Sequence, residues 1–149
     1  MRNRLLWVLS AMALSAGLMS SGSGAAEATM VEVAEKLYRN ASPESFDRQC
    51  KGSGAKLEVA ENRHTCSKQQ LTTIVRFEGD RATNATVVKK GLHKEIVGQL
   101  KRKLGEPDSV KTLGAMKMHF WFTEDASVSV GLQSSTKSRS TMVSFRSPS

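Results

Sequence analysis

Cysteine is scarce in this chain: of 149 residues only Cys50 and Cys66 carry a thiol. Two cysteines permit one disulfide, and a zinc site built on that pair with His64 would need further ligands at suitable spacing. His93 and His119 sit in unrelated segments, so a Cys50–Cys66 disulfide is the expectation. Closing a loop of this length stabilises a fold by about 3 kcal/mol in the chain-entropy model. Aromatics are also few, at 5%. A basic protein that stacks nucleic-acid bases interleaves its cations with exposed rings, and this one does not. Long apolar runs are missing after the first residues, so no spanning segment is expected there.

Catalytic motifs are missing too. Ser134-Ser135-Thr136-Lys137 has the S-x-x-K spacing, but it falls in a serine-rich turn rather than on a helix, and its companion motifs are absent. His93-Lys94-Glu95 lacks the P-C-x-x-C partner of the zinc deaminases. Gly52-Ser53-Gly54 has neither the preceding strand nor the following helix of a phosphate loop. The carboxylates from Glu44 to Asp125 fall mostly in turns, where solvation is their ordinary role. No catalytic residue, metal or cofactor is expected, and the chain reads as a non-enzyme.

What is present begins at the first residue. Arg2 and Arg4 precede an apolar stretch from Leu5 to Leu18. Small residues follow, ending in Ala26-Glu27-Ala28. A charged start, an apolar middle and a small-residue exit predict a secretory signal peptide over residues 1–28, cleaved before Thr29. Its apolar part is shorter than the ~20 residues a span requires. The remaining residues 29–149 suit one domain, periplasmic or secreted. The whole chain carries a net charge of +8, and losing Arg2, Arg4 and Glu27 leaves +7.

Thr29 and Glu32 form a capping box ahead of a helix that carries Met30, Val33, Ala34, Leu37 and Tyr38 inward and ends near Asn40. Ser42-Pro43 starts a second, short turn that delivers Cys50. Lys56 to Val59 reads as a brief strand inside the disulfide loop. Residues 70–88 alternate with period two around the turn Glu78-Gly79-Asp80-Arg81 and predict a hairpin. Leu92, Ile96, Val97, Leu100 and Leu104 stripe another helix, stopped by Gly105 and Pro107.

Three strands follow, with Met116, Met118, Phe120 and Phe122 expected to face inward on the first. Lys117, His119 and Trp121 then share its wet face. The expected fold class is α+β: an antiparallel sheet of about five strands, a hairpin plus a three-strand meander. Two helices pack on one face beside a disulfide-closed loop.

The run from Ile74-Val75-Arg76-Phe77 through Leu100-Lys-Arg-Lys-Leu-Gly-Glu-Pro107 to Trp121 resembles small exported bacterial α/β domains. Among these are the outer-membrane-assembly small lipoprotein and the repeats of the β-lactamase inhibitory protein. The shared pattern is a hairpin, an amphipathic helix with a Leu-Gly-x-Pro stop, and a meander containing tryptophan, over residues 71–146. This chain departs from it in having no lipidated cysteine and in carrying the disulfide loop. The resemblance implies a non-catalytic, protein-binding role.

Two binding surfaces compete in the sequence. Trp121, His119 and Lys117, with Arg76 and Arg146 on the same face, would make a docking patch for a protein partner of inhibitor, immunity or envelope-assembly type. Alternatively Lys94, Lys101 and Arg102 on the basic helix would hold an envelope polyanion. Nucleic acid is not an expected partner.

Overall fold

The computed structural model describes residues 23–91, 95–134 and 139–148. Helix α1 spans Ser23–Asn40 and α2 spans Pro43–Gly52. Strands β1 (Lys56–Ala60), β2 (Arg63–Lys68), β3 (Leu71–Glu78) and β4 (Arg81–Lys90) follow. Helix α3 spans Glu95–Leu104 and leads to β5 (Ser109–Leu113), β6 (Met116–Phe122), β7 (Ser127–Ser134) and β8 (Arg139–Arg146).

All eight strands form one antiparallel sheet in the order β1-β2-β3-β4-β8-β7-β6-β5. The architecture is therefore two four-strand meanders, each entered from a helical segment and joined through their last strands. Among the described residues an eight-stranded sheet with three helices replaces the expected five strands and two helices. Of the three further strands, β1 matches the brief strand expected over Lys56 to Val59, where Leu57 and Val59 alternate with Lys56 and Glu58, and it joins the sheet as an edge. β5 is a short edge strand with little apolar alternation, and β2 reads Arg-His-Thr-Cys-Ser-Lys. The turns into β2 and β3 carry no glycine signal: Glu61 and Gln69 themselves adopt φ 54°. Such turns normally advertise themselves with Asn-Gly or Gly. The expected turn after Glu78 does so, with Gly79 at φ 61°.

Helix α1 also begins earlier than its capping box, running from Ser23 through Thr29. Ala25, Ala26 and Ala28 are strong helix formers and extend it upstream. The signal-peptide features at residues 1–22 lie outside the described residues, as do Leu92, His93, Lys94 and the end of the S-x-x-K match. No helix among the described residues is long and apolar enough to cross a membrane.

All three helices bury their apolar sides on one face of the sheet. Met30, Val31, Ala34 and Tyr38 of α1, Phe46 of α2, and Ile96 and Leu100 of α3 join Val75, Phe77, Ala85, Val87, Val128, Val130, Val143 and Phe145 in one core. Each buried branched or aromatic side chain contributes about 1.5–3 kcal/mol.

Ser42 caps α2 by accepting from the Ser45 amide, with Pro43 at the first helical position. The Cys50–Cys66 disulfide, with Cα atoms 5.8 Å apart, then ties α2 to β2. Next to it His64 Nδ1 donates to Asp47 Oδ1 at 2.6 Å, the imidazole standing edge-on to Phe46 and Phe77. The outer hairpin is thus held to the core by a covalent bond and by the His64–Asp47 hydrogen bond.

Candidate binding face

The decisive strand is β6, in which Met116, Met118, Phe120 and Phe122 alternate with Lys117, His119 and Trp121. Its register settles which side goes in: Trp121 lies opposite Val128, His119 opposite Val130 and Lys117 opposite Leu132. Val128 in turn lies opposite Phe145. Trp121 therefore belongs to the helix-covered face, and it is only 1% exposed. Its indole N–H donates to the Gly105 carbonyl at 2.9 Å, while Gly105 takes φ 85° just past α3. The helix stop and the buried indole satisfy each other, since an indole needs a partner when buried.

The expected wet face of β6 is thus the covered one. Trp121 is a core residue and not an exposed anchor. His119 is half-buried beneath it, stacked on the indole with centroids 6.2 Å apart. Its Nδ1 has no partner among the described residues. Burial, then the charges of Lys117 and Lys101, hold this imidazole below its ordinary pKa.

The residues expected to face inward, Met116, Met118, Phe120 and Phe122, occupy the opposite face. Among the described residues nothing covers it. Phe122 is 60% exposed, and so is Leu113 at the other end of the stripe on β5. Phe120 and Phe122 lie nearly parallel, 6.4 Å apart, with the Lys111 ammonium 5.8 Å above Phe120. Across the neighbouring strand Gly131 makes room: a Cβ there would touch Met116 Sδ at 3.4 Å and Met142 Cε at 3.5 Å. Met116 and Met142 close over that backbone, and Met118 lies opposite it. The result is a continuous apolar strip of soft, adaptable side chains.

The sequence-predicted patch is divided by this geometry. Trp121, His119 and Lys117 lie on the covered face, and Arg76 and Arg146 on the bare one. Arg76 alternates with buried Val75 and Phe77, and Arg146 follows buried Phe145. The register aligns Arg63, Arg76, Asn84, Arg146, Ser127 and Phe122 in one row across six strands. Sequence reasoning missed Arg63 and Phe122. The only signal was the alternation of Phe122 with Trp121, which reads equally well in either direction.

The basic helix is less open than its sequence suggests. Lys101 pairs with Glu106 at 3.2 Å, and Lys103 is bonded to Glu35 of α1. Arg102 is exposed. Glu35 also accepts from Arg39 Nε at 3.3 Å, and Arg39 Nη1 reaches Asp125 at 2.7 Å. Burial pushes the Glu35 carboxyl up, but the hydrogen bonds and charges of Lys103 and Arg39 outweigh it and hold it below the usual range. Asp125 is also lowered, chiefly by the Arg39 hydrogen bond. These groups line a cavity of about 160 Å³ between α1, α3 and the β6–β7 turn. That is well below the ~300 Å³ at which ligand pockets begin, and its charges already serve one another.

No family model, curated protein or solved structure matches the chain.

Proposed function

We propose that this chain is a non-catalytic binding module, exported to the periplasm or beyond, whose bare sheet face recognises a protein partner. The observation that supports it is the one-sided sheet, with Leu113, Met118, Phe120 and Phe122 left on the uncovered side. Eight strands at about 4.8 Å spacing, each about 20 Å long, offer roughly 700 Å². A standard protein interface takes about 800 Å² from each partner. Exposed aromatic and methionine side chains are the types enriched at the centres of such interfaces.

The export pattern at residues 1–28 and the disulfide suit an oxidising compartment. The resemblance to small exported binding domains points the same way. Polyanion binding through α3 has less support, because Lys101 and Lys103 are engaged within the fold.

The test is placement of a photo-crosslinking amino acid at Phe122 or Leu113 on the bare face, and at Lys36 or Arg48 on the helical side, in producing cells. Discrete protein adducts from the first pair only are expected. Adducts confined to the helical side, or none from either, would remove this reading.

A further inference from the structure

We infer that the partner presents an acidic surface, received by a strip of arginines on the bare face beside the apolar stripe. This rests on the reading of that face given above.

Arg63 and Arg76 are direct cross-strand neighbours. Arg76 and Arg146 flank Asn84 from either side. Like charges set opposite one another on a sheet destabilise it, unless an anion lies across them. Among the described residues none of these three arginines has a carboxylate partner, whereas Arg39, Lys101 and Lys103 on the helical side each hold one.

The polar groups between them are arranged to donate. Thr86 Oγ1 donates to Asn84 Oδ1 at 3.0 Å, so the hydroxyl of Ser144, 2.9 Å from Thr86 Oγ1, must be the donor to it. Asn84 has its acceptor occupied and its amide N–H groups left over. Together with two guanidinium groups these form a row of donors, which matches carboxylate oxygens. Arginine forks also bind carboxylates in bidentate fashion. Phe122 ends the same row, placing an apolar anchor at the edge of the cationic strip. The excess of 22 basic over 14 acidic residues gives the whole chain the matching sign and disfavours a second copy as occupant.

An anionic membrane shares this chemistry but fits the shape less well. Adjacent strands rotate by about 20–25°, so a face of eight strands is strongly twisted. A folded protein can complement such a surface, while a flat bilayer meets only part of it. The strip runs along one end of the sheet, where Arg63 and Ser127 open their strands and Phe122 and Arg146 close theirs.

The experiment uses the methionines as reporters. Protein labelled with ¹³C at the methionine methyls is titrated with the peptide acetyl-Glu-Glu-Phe-Glu-Glu-Phe-amide, then with its glutamine counterpart, then with phosphatidylglycerol vesicles. The expected result is movement of the Met118 and Met142 signals, but not of core Met30. The glutamate peptide should bind about tenfold more tightly than the glutamine peptide. R76Q/R146Q, which changes two exposed side chains, should erase that difference while the Met30 signal reports an intact fold.

Equal response to both peptides would overturn the acidic partner yet leave the bare face as the docking surface. Response to vesicles without response to peptides would overturn it in favour of a membrane. Silence of Met118 and Met142 towards every probe would overturn both readings.

Discussion

The two faces of this sheet are made by the same strands, yet they obey different rules. On the covered face the central strands are apolar and closed: Val75, Val87, Val128, Val130 and Val143 are each at most 1% exposed, while Val59 and Val110 on the edge strands are 52% and 48% exposed. On the bare face β3, β4, β7 and β8 carry mainly threonine, serine, asparagine and arginine, as an antiparallel sheet facing water should. β6 breaks that rule by carrying Met116, Met118, Phe120 and Phe122 on this face. The surplus is more than folding needs, and it collects where nothing in the chain uses it. Core positions report how the chain folds; the excess on β6 reports that something else is meant to cover it.

Substitutions can break this contrast in order of expected size. Trp121→Ala should cost about 3–5 kcal/mol, through a large cavity and an orphaned Gly105 carbonyl. Chemical denaturation would show it as a large fall in midpoint, and partner adducts should be lost through unfolding. A stably folded Trp121→Ala protein would mean the indole is not the core element described.

Next, Cys50→Ser with Cys66→Ser should cost about 3 kcal/mol. Hydrogen exchange should show the loss concentrated in α2, β1 and β2. Uniform loss across both meanders would contradict local anchoring of the outer hairpin.

Glu35→Gln should cost about 1 kcal/mol near neutral pH, because it releases both Lys103 and Arg39. The folded carboxyl lies below its ordinary range, so its contribution is complete above the unfolded pKa and disappears as pH falls through the folded value. Thermal melts over the acid range should therefore be less pH-dependent in Glu35→Gln than in the parent protein. His119, also lowered on folding, adds in the same direction: the unfolded state takes up its proton first as pH falls below about 6.5.

The smallest effect on stability belongs to Phe122→Ser, within about 0.5 kcal/mol. Its melting curve should overlay the parent's, while the crosslinked adduct from Leu113 weakens or vanishes. A severe loss of stability would move Phe122 into the core and cancel the contrast between the faces.

Much of this arrangement could be read from residue order, and the parts that could not share a physical reason. The α3 stop at Gly105 and Pro107, the Gly79 turn and the inward alternation of Val128 and Val130 or Val143 and Phe145 are local signals with one reading. The Cys50–Cys66 bond follows from there being no other cysteine. β1 was legible only as a brief isolated strand, and β2 and β5 were not, because the edge strand β5 needs little apolar alternation and the turns around β2 rest on Glu61 and Gln69. The orientation of β6 came out reversed, since its more apolar period, Met116, Met118, Phe120 and Phe122, is the one left bare. Only the pairing of Trp121 with Val128 resolves it, and pairing is a property of two strands at once. Arg63 stayed hidden for the same reason: it joins Arg76 and Arg146 only through register.

Six of the seven strand pairings join neighbours along the chain; the seventh, β4 with β8, does not. During synthesis the first meander and its disulfide partners emerge together, so β4 waits with an unsatisfied edge until the far end of the chain arrives. β8 is thus the fastener between the two meanders. A chain cut short before it would present two unpaired edges, β4 and β7, at the centre of what should be one sheet. Such edges are templates for pairing with other chains. The order of emergence makes the last strand the one that protects all the earlier work from aggregation.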